Sequence, residues 1–234
     1  MTLKINDIAP NFNAKTTMGD INFHDYLNGS WGVLFSHPKD FTPVCTTELG
    51  YMAKINNEFK KRDCKILGLS VDSLDDHKKW VLDIEETQGS KVDYPLIADE
   101  DLEIAKIYNM LPADEIFKPN DKRTALNNST VRSIFLIDPD FKIRMMLTYP
   151  MTTGRNFNEI LRVLDSIQLT SSHKVATPAN WNKGDDVIIV PSVSDKEANE
   201  LFPDGYKKIK PYLRTTKQPL SLIHISEPTR LHGI

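Results

Sequence analysis

Cys45 is the residue whose surroundings most suggest chemistry. It stands in the run Pro38-Lys39-Asp40-Phe41-Thr42-Pro43-Val44-Cys45-Thr46-Thr47-Glu48. Thr42 followed by Pro43 suits an N-cap and the first residue of a helix. Cys45 then falls in the first helical turn, where free backbone N–H groups and the positive end of the dipole favour a thiolate. Such a thiol would be both acidic and reachable. The competing reading is a small buried hydrophobe, the usual fate of a free cysteine. Placement alone does not separate the two.

The other cysteine is Cys64. Two cysteines are too few for a disulfide scaffold, and no Cys-x-x-Cys pair is present. The six histidines are scattered, none at metal-ligand spacing from a cysteine or another histidine. A free thiol in a reducing compartment, without a metal or other cofactor, fits these counts best.

The elements that must hold Cys45 follow from the apolar pattern. Trp31–Ser36, Ile66–Val71 and Ile134–Ile137 are short apolar runs that read as buried strands. Between the first two, Leu49, Met52, Ile55 and Phe59 recur at helical spacing. A second helix is expected over Leu74–Glu86 and a short strand over Pro95–Ala98. Asp138-Pro139-Asp140 is a turn signal, so Phe141–Tyr149 should pair back as a hairpin strand. Phe157, Ile160, Leu161, Leu164 and Ile167 mark another helix face, with Asn156 as its N-cap. This alternation predicts an α/β sandwich around a mixed sheet.

The composition shifts at the polar stretch Thr170-Ser171-Ser172-His173. Beyond it a strand at Val187–Val190, a short helix at Asp195–Leu201 and a final basic strand through Tyr212-Leu213-Arg214 are expected. The domains are therefore drawn as 1–169, 170–219, and a tail at 220–234 expected to be disordered and artificial in origin. His224 and His232 in that tail are too far apart to suggest a metal site.

The chain has 234 residues, 26% of them charged, with a net charge of -3 and both signs interspersed. That balance argues against a nucleic-acid partner. No apolar run approaches the ~18–20 residues needed to span a bilayer, and the N-terminal residues lack a secretory core. A cytoplasmic address is expected.

The run Pro38-x-x-x-Thr42-x-x-Cys45 resembles the active-site motif of the peroxiredoxins. The wider string from Phe35 to Gly50 is similar to their one-cysteine, peroxiredoxin-6-type subfamily. So are Phe23-His24-Asp25, Thr153-Gly154-Arg155-Asn156-Phe157 and Val175-Ala176-Thr177-Pro178. The likeness runs from about Asp7 to Gln218; the subfamily's chains end near the Pro219 position. It implies a thioredoxin-like fold with a small C-terminal α+β domain, and a homodimer. It implies a thiol peroxidase acting on hydrogen peroxide and organic hydroperoxides, with Cys45 as the peroxidatic cysteine. Thr42 would offer its hydroxyl to the peroxide, Pro38 would shield the site, and Arg132 would stabilise the thiolate and the developing charge. Glu48 and Arg155 would hold the site in shape, and His37 occupies a subfamily active-site position. Read singly, each arginine or glutamate is more often a surface ion pair, worth roughly 0–1 kcal/mol.

Two-cysteine relatives carry a resolving cysteine in a Val-Cys-Pro context near the C-terminus, and no cysteine follows Cys64 here. At about 1.5 Å per residue the helix from Cys45 would place its far end, and Cys64 beyond it, some 25 Å away. An external small thiol or thiol protein must then resolve the sulfenic acid. Two further readings accompany this one. Asn28-Gly29-Ser30-Trp31-Gly32 resembles the lipase-like segment of animal members assigned a phospholipase A2 activity, with His24 and Asp140 at the other triad positions. However, Asn28 replaces a glycine, and Ser30 precedes a strand rather than a strand-to-helix elbow. Alternatively, Cys45 oxidation could serve as a signal in an oxidant sensor or a holder of unfolded clients.

Overall fold

The computed structural model describes residues 2–113 and 129–219; the tail lies outside them. In chain order the first unit comprises β1 (Asn13–Thr16), β2 (Gly19–Asn22), α1 (Phe23–Leu27), β3 (Trp31–Ser36), α2 (Pro43–Lys60), β4 (Cys64–Ser70), α3 (Leu74–Gln88), β5 (Leu96–Ala98), α4 (Glu103–Ile107), β6 (Arg132–Ile137), β7 (Ile143–Tyr149) and the start of α5 (Phe157–Ser172). Compactness divides the chain between Leu161 and Arg162.

The seven strands form one sheet in the order β2-β1-β5-β4-β3-β6-β7. β3, β4 and β5 run parallel, while β6 and β7 add antiparallel on one side and β1 and β2 on the other. Every residue of β3 and β6 is buried, which is why both read as unbroken apolar runs rather than as alternating strands. One core gathers Leu34, Leu67, Leu69, Phe135 and Ile137 with Phe23 and Leu27 of α1, Ala105 of α4, and Tyr108. Elsewhere, Phe35 meets Tyr94 and Phe157 at ring distances near 6 Å.

The two long helices have legible reasons to form. In α2 the buried stripe beyond the site is Leu49, Met52, Asn56 and Phe59. Asn56, not the expected Ile55, takes the third position, because its amide donates to the Asp93 carboxylate at 2.6 Å. α3 starts at an N-cap, where the Ser73 hydroxyl accepts from the Asp76 N–H, and stops at Gly89 in the left-handed region, φ 66°. Its buried residues are His77, Trp80 and Ile84. The Asp138-Pro139-Asp140 turn forms as expected: Asp138 accepts from the N–H groups of Asp140 and Lys142, and Phe141 takes φ 61°.

The second unit, from Arg162, contains the rest of α5, then β8 (Val175–Ala176), β9 (Val187–Ile189), α6 (Asp195–Leu201), β10 (Lys207–Lys210) and β11 (Leu213–Thr216). Its four strands form an antiparallel sheet ordered β10-β11-β9-β8. Leu169, Val175, Trp181, Val187, Ile189 and Phe202 fill its core. Two local expectations are corrected. The polar Thr170–Ser172 stretch is the last turn of α5, where Thr170 and Ser172 hydroxyls donate back to helix carbonyls. The single final strand is a hairpin, with Pro211 and Tyr212 at its turn. No helix among the described residues is long and apolar enough to cross a membrane.

Candidate active site

The site is assembled where α2 begins and β3 and β6 end or start. Thr42 is extended (φ -119°, ψ 147°) and Pro43 opens the helix, placing Cys45 in the first turn as expected. One part of that expectation is corrected. The Thr42 hydroxyl makes no cap; it donates to the Lys39 carbonyl at 2.8 Å. Its oxygen keeps lone pairs for another donor. The preceding Phe41 is held at φ 54°, a costly conformation for a bulky side chain. It is half exposed, with its ring 6.3 Å from that of Trp80. Pro38 is buried in the loop that leads into the helix.

Cys45 has 0% exposure, so the expectation of a reachable thiol is not met in this conformation. Arg132, the first residue of β6, donates from Nη1 to the Cys45 Sγ at 3.4 Å and to Glu48 Oε2 at 2.6 Å. Its Nε and Nη2 both donate to the Met151 carbonyl, at 2.8 and 2.6 Å. This leaves the guanidinium little freedom to turn away from the sulfur.

Glu48 lies one helical turn after Cys45 and accepts from a second arginine as well. The Arg155 backbone N–H and Nε donate to its Oε1, and Nη2 donates to Oε2. Arg155 Nη1 donates to the carbonyls of Ser36 and Ser133, and its plane lies 5.2 Å from the rings of both Phe35 and Phe157. Burial pushes the Glu48 carboxyl up, but the hydrogen bonds and charge of Arg155, with the charge of Arg132, outweigh it and hold the group below its ordinary value. Two buried guanidiniums thus face one buried carboxylate. The N–H groups of Val44 and Cys45, in the first turn of α2, have no carbonyl a turn earlier in the helix. A cavity of about 330 Å³ opens beside Glu48 and Arg155, lined also by Thr47, Tyr51 and Asn156.

His37 belongs to a second buried group. Its Nε2 contacts Asp40 Oδ1 at 2.8 Å, and His77 Nδ1 contacts Asp40 Oδ2 at 2.5 Å. All three side chains are enclosed, and these spacings are those of direct hydrogen bonds. Asp40, His77 and Trp80 escaped the sequence reading. His77, Trp80 and Ile84 occupy one buried helix face at i, i+3, i+7, so a histidine inside an apolar stripe was the available signal.

Cys64 opens β4 in register with Trp31 and is buried. Burial, with the charge of Asp63, pushes its thiol well above the ordinary value. His24, Ser30 and Asp140 are not brought together by any hydrogen bond among the described residues. His24 Nε2 donates to the Ala9 carbonyl and its ring stacks on Phe141, while the Ser30 hydroxyl donates to Asp63. Asp140 is exposed at its turn.

Residues 5–146 match the AhpC/TSA family, and residues 166–205 match the C-terminal domain of 1-Cys peroxiredoxin. The 1-Cys peroxiredoxin of Dictyostelium discoideum is 55% identical over 93% of this chain and 86% of its own length. Peroxiredoxin-6 of Gallus gallus is 51% identical over 93% of this chain and 98% of its own. Among solved structures, a cysteine-to-serine mutant of the peroxiredoxin 6 of Arenicola marina superposes with a TM-score of 0.85 at 48% identity, covering 94% of this chain and all of that one. A yeast mitochondrial 1-Cys peroxiredoxin, solved to explain thiol resolution through glutathione and thioredoxin systems, gives a TM-score of 0.83 at 52% identity over 92% of this chain and all of its own.

Proposed function

The chain belongs to the AhpC/TSA family, in its one-cysteine peroxiredoxin branch, and we propose that Cys45 is the sulfur with which it reduces hydroperoxides. The carrying observation is the Cys45 sulfur in the first turn of α2, 3.4 Å from the fixed guanidinium of Arg132. The protein is a thiol peroxidase, and the geometry supports the following course.

The Cys45 thiolate attacks one oxygen of the O–O bond. That bond breaks, the sulfur gains the oxygen as a sulfenic acid, and the other oxygen leaves as hydroxide or alkoxide and takes up a proton. Negative charge moves from sulfur to the leaving oxygen, so donors fixed beforehand lower the barrier most. Arg132 and the first-turn N–H groups of α2 supply them. Thr42 orients the peroxide hydroxyl, Pro38 keeps water from the sulfur, and Glu48 and Arg155 hold Arg132 in place. A thiol then condenses with the sulfenic acid, releasing water and leaving a mixed disulfide. A second thiol returns Cys45 to its reduced state.

Cys64 is no partner in this cycle, because its thiol is buried at the start of β4 and held protonated. The reductant is therefore external, a small thiol such as glutathione or a thioredoxin-type protein, and no metal or prosthetic group takes part. Since Cys45 is enclosed, a bulky thiol requires the first turn of α2 to open. The working unit is a homodimer, in keeping with the branch, and the address is the cytoplasm or another reducing compartment. One of the curated relatives is mitochondrial. Treating the reduced protein with one equivalent of hydrogen peroxide in the presence of dimedone tests the assignment. The adduct is expected on Cys45 alone; an adduct on Cys64, or none, overturns it. Sedimentation velocity separates dimer from monomer.

A further inference from the structure

The cavity of about 330 Å³ beside Glu48 and Arg155 has no part in the attack on peroxide described above. Its volume lies at the lower end of the ~300–1,000 Å³ typical of small-molecule sites. Thr47 and Tyr51 of α2 line one wall, and Gly154, Asn156 and Asn158, where α5 begins, line the other. The cavity flanks the turn that carries the reactive sulfur. The Thr47 hydroxyl donates to the Val44 carbonyl at 2.7 Å, and Val44 Cγ1 lies 3.6 Å from where a Cβ on Gly154 would stand. Val44 immediately precedes Cys45.

The polar groups of the cavity have their roles set by their neighbours. A backbone N–H only donates, so the Asn158 N–H, at 3.1 Å, fixes Asn156 Oδ1 as the accepting end of that amide. The Tyr51 hydroxyl donates to Asn158 Oδ1 at 2.9 Å, and its ring stacks 6.4 Å from that of Phe157. Both amide oxygens thus serve protein donors. No hydrogen bond among the described residues engages either NH2 group, and both asparagines are exposed. The ionic part of the wall has nothing to add. Glu48 accepts four hydrogen bonds, and Arg155 gives its donors to Glu48 and to the Ser36 and Ser133 carbonyls. A ligand therefore meets a pair of amide NH2 groups, which suits the two oxygens of a carboxylate. The Thr47 and Tyr51 oxygens, with their protons already placed, can accept from an N–H of the same molecule.

We propose that this cavity docks the resolving thiol, Asn156 and Asn158 receiving the carboxylate of a small peptide-like thiol such as glutathione. The proposal rests on the Cys45 reading above and narrows the class of reductant that serves it. The step itself is a substitution at sulfur. The thiol sulfur attacks the Cys45 sulfur of the sulfenic acid, and an S–S bond forms as the S–O bond breaks. The hydroxide leaves with the thiol proton as water. A second thiol molecule then attacks the mixed disulfide, releases Cys45, and departs joined to the first as a disulfide. A carboxylate held beside Val44 keeps the thiol next to Cys45 when the first turn of α2 opens, so the encounter no longer depends on free diffusion.

Asn156→Asp and Asn158→Asp test this while keeping what the fold needs. Each aspartate retains the accepting oxygen, replaces only the NH2 group, and suits the start of a helix. Reduction of the preformed Cys45 sulfenic acid in the full chain is followed by stopped flow with glutathione and, separately, with dithiothreitol, which carries no carboxylate. In the double variant the ratio of the glutathione to the dithiothreitol rate constant should fall by about tenfold or more. Glutathione diethyl ester, with its carboxylates masked, should show a ratio changed by less than about twofold. S-methylglutathione, which has no thiol to react, should slow reduction of wild type by glutathione through competition for the cavity. An unchanged glutathione ratio, an equal fall with the ester, or no competition in wild type overturns the proposal. Failure of wild type to form the sulfenic acid at Cys45 would instead remove the underlying assignment.

Discussion

Replacing Glu48 by glutamine perturbs the charge arrangement behind Cys45 without changing side-chain volume. The carboxylate receives four hydrogen bonds, three from Arg155 and one from Arg132, which uses its full accepting capacity. The amide keeps one accepting oxygen and turns an NH2 group toward donors, so two of the four bonds are lost and two guanidiniums stay buried without the carboxylate between them. Breaking a buried pair in this way costs roughly 3–5 kcal/mol. With a urea slope of about 2 kcal/mol per molar, the unfolding midpoint should drop by about 1.5 M or more. The sign of the pH dependence follows from the shift. The folded Glu48 carboxyl is held below its ordinary value, so its stabilisation is complete above the unfolded value of about 4.3 and disappears as pH falls through the folded value. The gap between wild type and Glu48→Gln should be full at neutral pH and narrow below about pH 4. Urea titrations at several pH values measure it. A gap under about 1 kcal/mol at neutral pH, or one that persists unchanged in acid, refutes the argument.

Arg132→Lys keeps a positive charge but cannot grip the Met151 carbonyl and reach the sulfur together; stopped-flow peroxide oxidation of Cys45 should slow by about 10²-fold or more. Cys64→Ser should leave dithiothreitol-supported turnover within about twofold, and native wild type should resist iodoacetamide at Cys64 until urea unfolds it. Gly68→Ala would set a Cβ 2.7 Å from Leu96 and 3.1 Å from Phe35 in the middle of the sheet; thermal unfolding should report a loss of about 1–3 kcal/mol.

Much of the scaffold could be read from pattern because its burial is two-sided. β3 and β6 are apolar throughout, and α2 and α3 carry buried stripes at helical spacing. The β1–β2 hairpin was not legible: Asn13–Asn22 is mostly polar and lies at the sheet edge, where little apolar surface marks a strand. β4 begins at Cys64 rather than Ile66 because parallel pairing with Trp31 extends it past the apolar run. At the site, the position of Cys45 followed from Thr42 and Pro43, since an extended residue followed by proline starts a helix locally even though the Thr42 hydroxyl makes no cap. The roles of Glu48 and Arg155 came only through resemblance, because their bonds span 107 residues. Asp40 and His77, 37 residues apart, met only when α3 packed against the loop before α2. Spacing along the chain cannot show a pair that the fold itself brings together.

Steady-state consumption of hydrogen peroxide with dithiothreitol, in wild type, Cys45→Ser and Cys64→Ser, tests the central claim most directly. The account predicts turnover in wild type and Cys64→Ser and none in Cys45→Ser. If Cys64→Ser forms the sulfenic acid but fails to turn over, Cys64 is a resolving thiol and the one-cysteine cycle is contradicted.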